Sequence, residues 1–164
     1  MLILMPTKKA EDWRSGLADP RKQWKAGRSA KLMADTWERH RPALPPEISR
    51  VLSGSPVSGL TPLLAMPEYQ VPLPGGTTSS QNDVFLLGAV DDGSAVIMVE
   101  GKVDEPFGET MTEWLKEGSK GKRERLNYLT DVLGLAGDPP DDIRYQLLHR
   151  TASAKWQESS FSGA

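Results

Sequence analysis

Apolar residues are densest between residues 84 and 99, where two apolar runs flank the sequence Asp91-Asp92-Gly93. An Asp-Gly pair between such runs is the strongest short-range indication of a β-hairpin. With Asp92 and Gly93 as the turn, residue 91 pairs with 94, 87 with 98, 85 with 100 and 83 with 102. A four-residue turn keeps this register. Both faces of the hairpin are apolar, which predicts a position near the centre of the sheet.

The N-terminal third of the chain shows helical spacing. The pattern predicts a helix from Ser29, its cap, to about His40, with one face formed by Leu32, Met33, Thr36 and Trp37. A shorter helix has Pro46 in its first turn and ends at Gly54. Three tryptophans are interpreted as residues that pack this segment onto the remainder: Trp13, Trp24 and Trp37.

Three more helices are predicted after the hairpin, over residues 107–118, 125–135 and 138–154, and the last ten residues are expected to fray. In the third helix Asp138 is the expected cap. Its apolar face is Ile143, Leu147, Leu148 and Thr151, and its polar face is Gln146, His149, Arg150 and Ser153.

Prolines limit residues 69–74 to a short or edge strand. Residues 75–80, "GGTTSS", predict a loop that lacks the spacing of a phosphate-binding P-loop. This order of elements predicts an α+β fold or a small α/β sheet.

Composition narrows the functional classes. The 164 residues predict one domain with a helical extension, and the absence of cysteine excludes disulfides and cysteine-ligated zinc. A net charge of −2 gives no global signature for nucleic acid, so such a partner would need a local basic patch. The opening "MLILMP" is too short for a signal-peptide core, and the chain has no apolar run of membrane-spanning length. We expect no membrane span and a cytoplasmic location.

Three charged residues interrupt this apolar pattern at the open end of the hairpin. Strand alternation places Asp83, Glu100 and Lys102 on one face. Two carboxylates can hold Mg²⁺ or Mn²⁺, the backbone carbonyl of Gly101 offers a further ligand, and the lysine can orient a water or neutralise an oxyanion. The alternative is a cross-strand ion pair between Lys102 and one of the two acids.

This Asp…Glu-x-Lys arrangement resembles the signature of the PD-(D/E)XK nuclease superfamily, which includes restriction endonucleases. The strings "PEYQVPLPGGTTSSQNDVFLLG", "VEGKVDEPFGETMTEWL", "GKRERLNYLTDVLGL" and "IRYQLLHRTASA" resemble an uncharacterised bacterial family usually placed there. The resemblance implies a restriction-endonuclease-like α+β core with a central mixed sheet flanked by helices. It also implies magnesium-dependent hydrolysis of phosphodiester bonds, on DNA held through its phosphates. Asp83 and Glu100 would then bind the metal, and Lys102 would be the catalytic lysine.

The resemblance also implies supporting residues and domain bounds. A glutamate from the first core helix would be Glu47 or Glu68, and Gln81, Gln146 and Arg150 would approach the site or the phosphate backbone. The core would occupy residues 44–158, after a helical extension over 1–43 and before a frayed tail over 159–164. The superfamily core continues into a further strand, for which "MLILM" is the only unassigned apolar run.

Several alternatives stay open. A non-catalytic binding or regulatory module would keep the fold and use its surface for a partner. The run "KGKRER", residues 120–125, is interpreted as a solvated loop and helix start, with phosphate contact as the alternative. His149 is interpreted as a packing or hydrogen-bonding residue rather than a general base. Three acids follow the hairpin: Asp104, Glu105 and Glu109. We expect them to cap the next helix rather than to form a second metal site.

Overall fold

The computed structural model describes residues 1–3 and 7–162. The fold is α+β, as the sequence predicts. A 3₁₀ helix covers Ala10–Gly16, and the remaining elements in chain order are β1 (Leu2–Ile3), α1 (Pro20–Gln23), α2 (Ser29–His40), α3 (Pro46–Ser53), β2 (Thr61–Val71), β3 (Ser80–Val90), β4 (Gly93–Val99), α4 (Met111–Leu115), α5 (Lys120–Val132) and α6 (Tyr145–Ser162). No helix in the described part of the chain is long and apolar enough to span a membrane.

Two compact units make up the chain. The first contains Met1–Tyr69 and Asn82–Glu105, and the second contains Gln70–Gln81 and Pro106–Ala164. The N-terminal helices therefore belong to the same unit as most of the β-hairpin. The division at residues 43/44 and 158/159 stays a prediction of the sequence pattern, while these two units are defined by packing.

The sheet has the strand order β1-β2-β3-β4. Strands β2 to β4 form a three-stranded antiparallel sheet, to which β1 adds a short parallel pairing of Leu2 with Leu64. Of residues 69–74 only 69–71 are strand, at the end of β2, which confirms the expectation of at most a short or edge strand there. The rest of β2, which has 11 residues in all, was not predicted. Its prolines lie where strands tolerate them. Pro62 is its second residue, and Pro67 precedes Glu68, whose φ of 52° interrupts regular strand geometry.

The β3–β4 hairpin forms, but its predicted register is wrong by two residues. The turn consists of Asp91 and Asp92, and Gly93 already pairs with Val90 as the first residue of β4. At Gly93 φ is 149°, a conformation that L side chains rarely adopt. An even shift leaves every side chain on its predicted face, since strand faces alternate with period two.

The hairpin also lies further from the centre of the sheet than predicted. In the described sheet β4 is the last strand, and its apolar side chains are half-buried. The residues Val84, Phe85 and Leu86 of β3 are fully buried instead. Apolar residues on both faces of β4 therefore do not make it a central strand.

The core of the first unit lies between the sheet and the N-terminal helices. Its buried members are Trp13, Ala34, Trp37, Ala65, Val84 and Leu86, with Trp24 packed against them half-buried. This confirms the interpretation of the three tryptophans as packing residues. The indole nitrogen of Trp13 also donates to Glu38 Oε1 at 2.8 Å, which satisfies its polar group.

In the second unit, α6 begins later than predicted. Residues 138–144 are not helical, because the backbone of this segment and of Tyr145, directly after it, bonds to the segment that starts α4. Ile143 O accepts from Met111 N at 2.9 Å, and Tyr145 N donates to Glu109 O at 3.0 Å. Helix α6 then continues to Ser162, further than the sequence predicts.

The predicted faces of α6 are right in part: Leu148 of the apolar face is buried, but other positions are not as predicted. Ser153, expected on the polar outer face, is fully buried. Its hydroxyl donates to the buried Ser80 Oγ at 2.8 Å, and Ser80 Oγ lies 2.8 Å from His149 Nδ1. Leu147 and Thr151, expected inside, are exposed. A hydrogen-bonded polar row faces inward here, and its partner Ser80 lies far away in the sequence.

Candidate active site

Asp83 and Glu100 each lie one residue beyond the last pair of the hairpin, Val84 with Val99. The Asp83 carboxylate accepts a hydrogen bond from the backbone nitrogen of Gly101 at 2.7 Å. A side chain of β3 therefore holds the backbone between Glu100 and Lys102. Asp83, Glu100 and Lys102 therefore lie near one another at the open end of the hairpin, as predicted.

Glycine at position 101 has a steric reason. A Cβ atom there would lie 2.7 Å from Cγ and 2.8 Å from Sδ of Met33, and 3.4 Å from Asp83 Oδ2. The first two distances are shorter than real Cβ contacts. Met33 of α2 thus occupies the space of a side chain between Glu100 and Lys102, which explains an unusual residue at the middle position of the Glu-x-Lys motif.

Lys102 and Glu100 form an ion pair. Lys102 Nζ donates to Glu100 Oε1 at 2.6 Å, and the two side chains are only 19% and 14% exposed. Limited exposure weakens the screening of the two charges by water and salt, so their attraction is stronger than that of a fully exposed pair. The lysine consequently fixes the orientation of the carboxylate next to it.

A cavity of about 360 Å³ adjoins this ion pair. One wall is the segment 99–103, and the others are formed by α2 and the start of α3. Glu47, one of the two candidates for the additional glutamate, lines the same cavity as Glu100 and Lys102. Glu68, the other candidate, lies at the irregular position of β2 and does not line it.

Glu105 caps a helix, although a different one from that expected. Its Oε1 accepts from Ser29 N at 3.0 Å at the start of α2, and its Oε2 accepts from Val103 N at 3.1 Å. Burial pushes the pKa of Glu105 upward, but these backbone donors outweigh burial and lower the pKa to about 2. The following helix, α4, is capped instead by Thr110, whose hydroxyl accepts from Glu113 N.

Three predicted supporting residues belong to the second unit: Gln81, Gln146 and Arg150. There Arg150 Nη1 donates to Ser80 Oγ at 3.2 Å. Burial, reinforced by the charges of Arg150 and Arg125, lowers the pKa of His149 to about 3. His149 is therefore neutral near pH 7 and hydrogen-bonded to the buried Ser80, in agreement with a packing and hydrogen-bonding role.

The run "KGKRER" is a helix start, as interpreted, but it contains no loop, because α5 already begins at Lys120 with Ser119 as its cap. Arg125, its last residue, is buried. The Arg125 guanidinium donates to Leu73 O at 2.7 Å, to Thr78 O at 3.1 Å and to Pro74 O. This arginine thus supplies donors to the "GGTTSS" loop and to the two residues before it, and is engaged within the protein.

Among residues 1–3 and 7–162, no group of three or more His, Cys, Asp or Glu side chains lies close enough together to hold a metal ion. The donors at the hairpin end are two carboxylates and the Gly101 carbonyl. Oxygen donors of this kind fit Mg²⁺, which is bound through one or two carboxylates and keeps several waters. By donor chemistry, Asp83 and Glu100 are the residues that would hold it.

Sequence reasoning missed the cavity and the role of Met33. The available signal was the spacing of residues 29, 32, 33, 36 and 37, which places them along one side of α2. The sequence pattern assigns this face no function beyond the packing of Trp37. In the structure Trp37 is fully buried, whereas Leu32 is 53% exposed and lines the cavity.

Comparison with known proteins identifies a family. The model described as Domain of unknown function (DUF6946) matches residues 6–162, so the chain belongs to this family. No curated protein and no solved structure matches the chain.

Proposed function

We propose that this member of the DUF6946 family is a magnesium-dependent phosphodiester hydrolase whose reactive groups lie at the end of the β3–β4 hairpin. The proposal includes a restriction-endonuclease-like core, a cytoplasmic location and DNA bound through its phosphates. One observation carries it: Asp83 and Glu100 flank the last hairpin pair, and the Glu100–Lys102 ion pair lines a cavity.

In this proposal each residue has a defined role. Asp83 and Glu100 supply oxygen ligands, and Mn²⁺ could replace Mg²⁺. When bound, the ion would lower the pKa of a coordinated water and offset charge on the phosphate. The Gly101 N–H holds the Asp83 carboxylate in place, while Lys102 orients Glu100 and places a positive charge where an oxyanion develops.

A second function is favoured by the same hydrogen bonds. Glu100 is paired with Lys102, and Asp83 is bonded to Gly101 N. Both contacts stabilise the end of the hairpin without any ion. A non-catalytic binding or regulatory module would need no more than this, and it would bind its partner through the cavity or the surface.

Calorimetric titration with Mg²⁺ and Mn²⁺ tests the proposal on the wild type, on Glu100→Gln and on the control Glu117→Gln. Glu117 is exposed and lies in the second unit, so its substitution removes the same charge away from the site. We expect the wild type and the control to bind metal and Glu100→Gln to lose most of the binding. A plasmid-nicking assay with Mg²⁺ on the same three proteins should give the same order.

A wild type that binds neither ion and does not nick DNA would contradict the hydrolase. Equal metal binding by Glu100→Gln and the wild type would also contradict it, because the proposed ligand would then be dispensable. Either result would favour the second function, a non-catalytic binding or regulatory module.

A further inference from the structure

The cavity beside the Glu100–Lys102 pair suggests the form of the substrate. We propose that it receives one unpaired nucleobase, so that the protein acts on a single-stranded or locally unpaired DNA strand. This inference rests on the proposed function, because it names the substrate form for the same site.

The cavity has the size and lining of a small-ligand pocket. Its volume of about 360 Å³ lies at the lower end of the range of roughly 300–1,000 Å³ that is usual for such sites. The apolar lining residues include Leu32, Met33, Trp37, Ile48, Val99 and Val103. A flat, weakly polar ring is the part of a nucleotide that such walls would bury, since the phosphate and sugar require polar surroundings.

Two apolar side chains of this lining stay substantially open to solvent. Leu32 is 53% exposed and Val103 is 49% exposed, and they belong to separate segments of the first unit. Burying them against a base would remove apolar surface from water on both partners. This gain offsets the few kcal/mol needed to take a base out of its stack.

Polar groups in the cavity suit the edge of a base. The Glu47 carboxylate can accept from an amino group on the base, in the way carboxylates recognise cytosine in DNA. Thr36 adds a hydroxyl that can donate or accept. The ring would therefore have both apolar contacts and hydrogen-bonding partners.

The position of the cavity connects base binding to the reaction. Glu100 and Lys102 line it, so a base inside would bring the phosphate of its own nucleotide towards those side chains. A base that stays stacked in a duplex keeps both ring faces covered by its neighbours and cannot contact the apolar walls of this cavity. The geometry therefore favours an unpaired strand over an intact duplex.

The test uses fluorescence anisotropy with three fluorescein-labelled DNA probes in EDTA, so that neither metal binding nor cleavage contributes. They are a mixed-sequence single strand of about 12 nucleotides, its paired duplex, and a strand of equal length whose central nucleotides are abasic. The abasic strand keeps every phosphate and removes only bases. We expect the intact single strand to bind about tenfold tighter than either of the others.

Two leucine variants supply a matched pair. Leu32→Ala removes an apolar group of the cavity, and Leu63→Ala removes the same group from β2, outside the cavity lining. Both leucines lie in the first unit and are about equally exposed, 53% and 48%. Leu32→Ala should weaken single-strand binding by about fivefold, whereas Leu63→Ala should leave it unchanged. Circular dichroism checks that both variants fold.

Equal affinity for the intact and abasic strands would overturn the inference, as would equal effects of the two leucine variants. The two proposals fail separately. Magnesium-dependent nicking that requires Glu100, without preference for intact bases, would retain the hydrolase and remove the base pocket. Base-dependent binding without hydrolysis would retain the pocket and remove the hydrolase.

Discussion

Asp83 Oδ2 lies 2.7 Å from the backbone nitrogen of Gly101, a residue 18 positions later in the chain, and accepts its hydrogen bond. A carboxylate from β3 thereby fixes the peptide between Glu100 and Lys102. The geometry of all three charged groups depends on this contact and on the absence of a side chain at position 101.

Gly101→Ala should therefore destabilise the protein. The new Cβ would lie under 3 Å from two atoms of Met33, and the flexible Met33 side chain can move only by giving up some of its packing. We expect a loss of about 1–2 kcal/mol in the free energy of unfolding, measured with urea. Gly137→Ala is the control, because a Cβ there meets no atom within 4 Å. Equal stability of the two variants would contradict the steric argument.

A double-mutant cycle measures the Glu100–Lys102 pair. Glu100→Gln and Lys102→Met should each lower the free energy of unfolding, because each leaves a charge without its closest partner in a mostly buried place. The double variant should recover part of that loss, with a coupling of about 1–2 kcal/mol from urea denaturation of the four proteins. A coupling near zero would show that the pair does not stabilise the hairpin end.

Glu105→Gln should destabilise α2. The carboxylate accepts from the first turn of that helix and has a pKa of about 2, below its ordinary 4.5. Its stabilisation is complete above pH 4.5 and is lost as pH falls towards 2. At pH 7 we expect a loss of about 1 kcal/mol in the free energy of unfolding. Asp104→Asn, which changes the exposed neighbour, should have almost no effect.

Stability should fall as the solution is acidified through the range in which the unfolded protein takes up a proton at His149. The folded pKa of this histidine is about 3 and its ordinary value is 6.5. Between these values the unfolded chain binds more protons, so stability rises with pH and is complete above 6.5. Urea denaturation from pH 4 to 7.5 should show a slope that His149→Gln reduces. An unaltered slope in His149→Gln would count against the burial argument.

Arg125→Met should be the most destabilising of these changes. Three carbonyls, those of Leu73, Pro74 and Thr78, would lose their charged donor inside the second unit. We expect a loss of about 2–4 kcal/mol in thermal or urea denaturation. Arg123→Met is a close control, because Arg123 lies in the same helix and is exposed. Similar losses in both variants would show that the hydrogen bonds of Arg125 contribute little.

Local signals in the sequence predicted much of the fold. Helix α2 ends at His40 as predicted, because its periodicity and its core face agree, but Ser29 is its first residue rather than its cap, and Arg28 occupies the N-cap position. Helix α3 likewise begins at Pro46 and ends before Gly54. The faces of the hairpin are predicted correctly although its register is not. The hydrophobic pattern shows which residues share a face of the sheet, and a register shift of two residues does not change those faces.

Non-local contacts explain what was missed. Asp138 and the two prolines after it resemble a helix start, but the backbone of this segment bonds to Met111 and Thr112 at the start of α4 instead. The inward polar face of α6 depends on Ser80, whose position a helical periodicity cannot reveal. The cavity needs α2, α3 and the hairpin end together, so neither its existence nor the inclusion of Glu47 follows from spacing alone.

The alternation of the two units along the chain has a consequence for synthesis on the ribosome. The first unit cannot be completed until Glu105 has been translated, because the second part of its sequence extends from Asn82 to Glu105. Residues 70–81 lack hydrogen-bonding partners such as Arg125 and His149 until these residues are translated, much later. Domains usually fold as they emerge, but here an early segment stays incomplete until almost the whole chain has been released. A chain truncated between Glu105 and α6 should therefore contain a complete first unit but leave residues 70–81 accessible to chaperones and proteases.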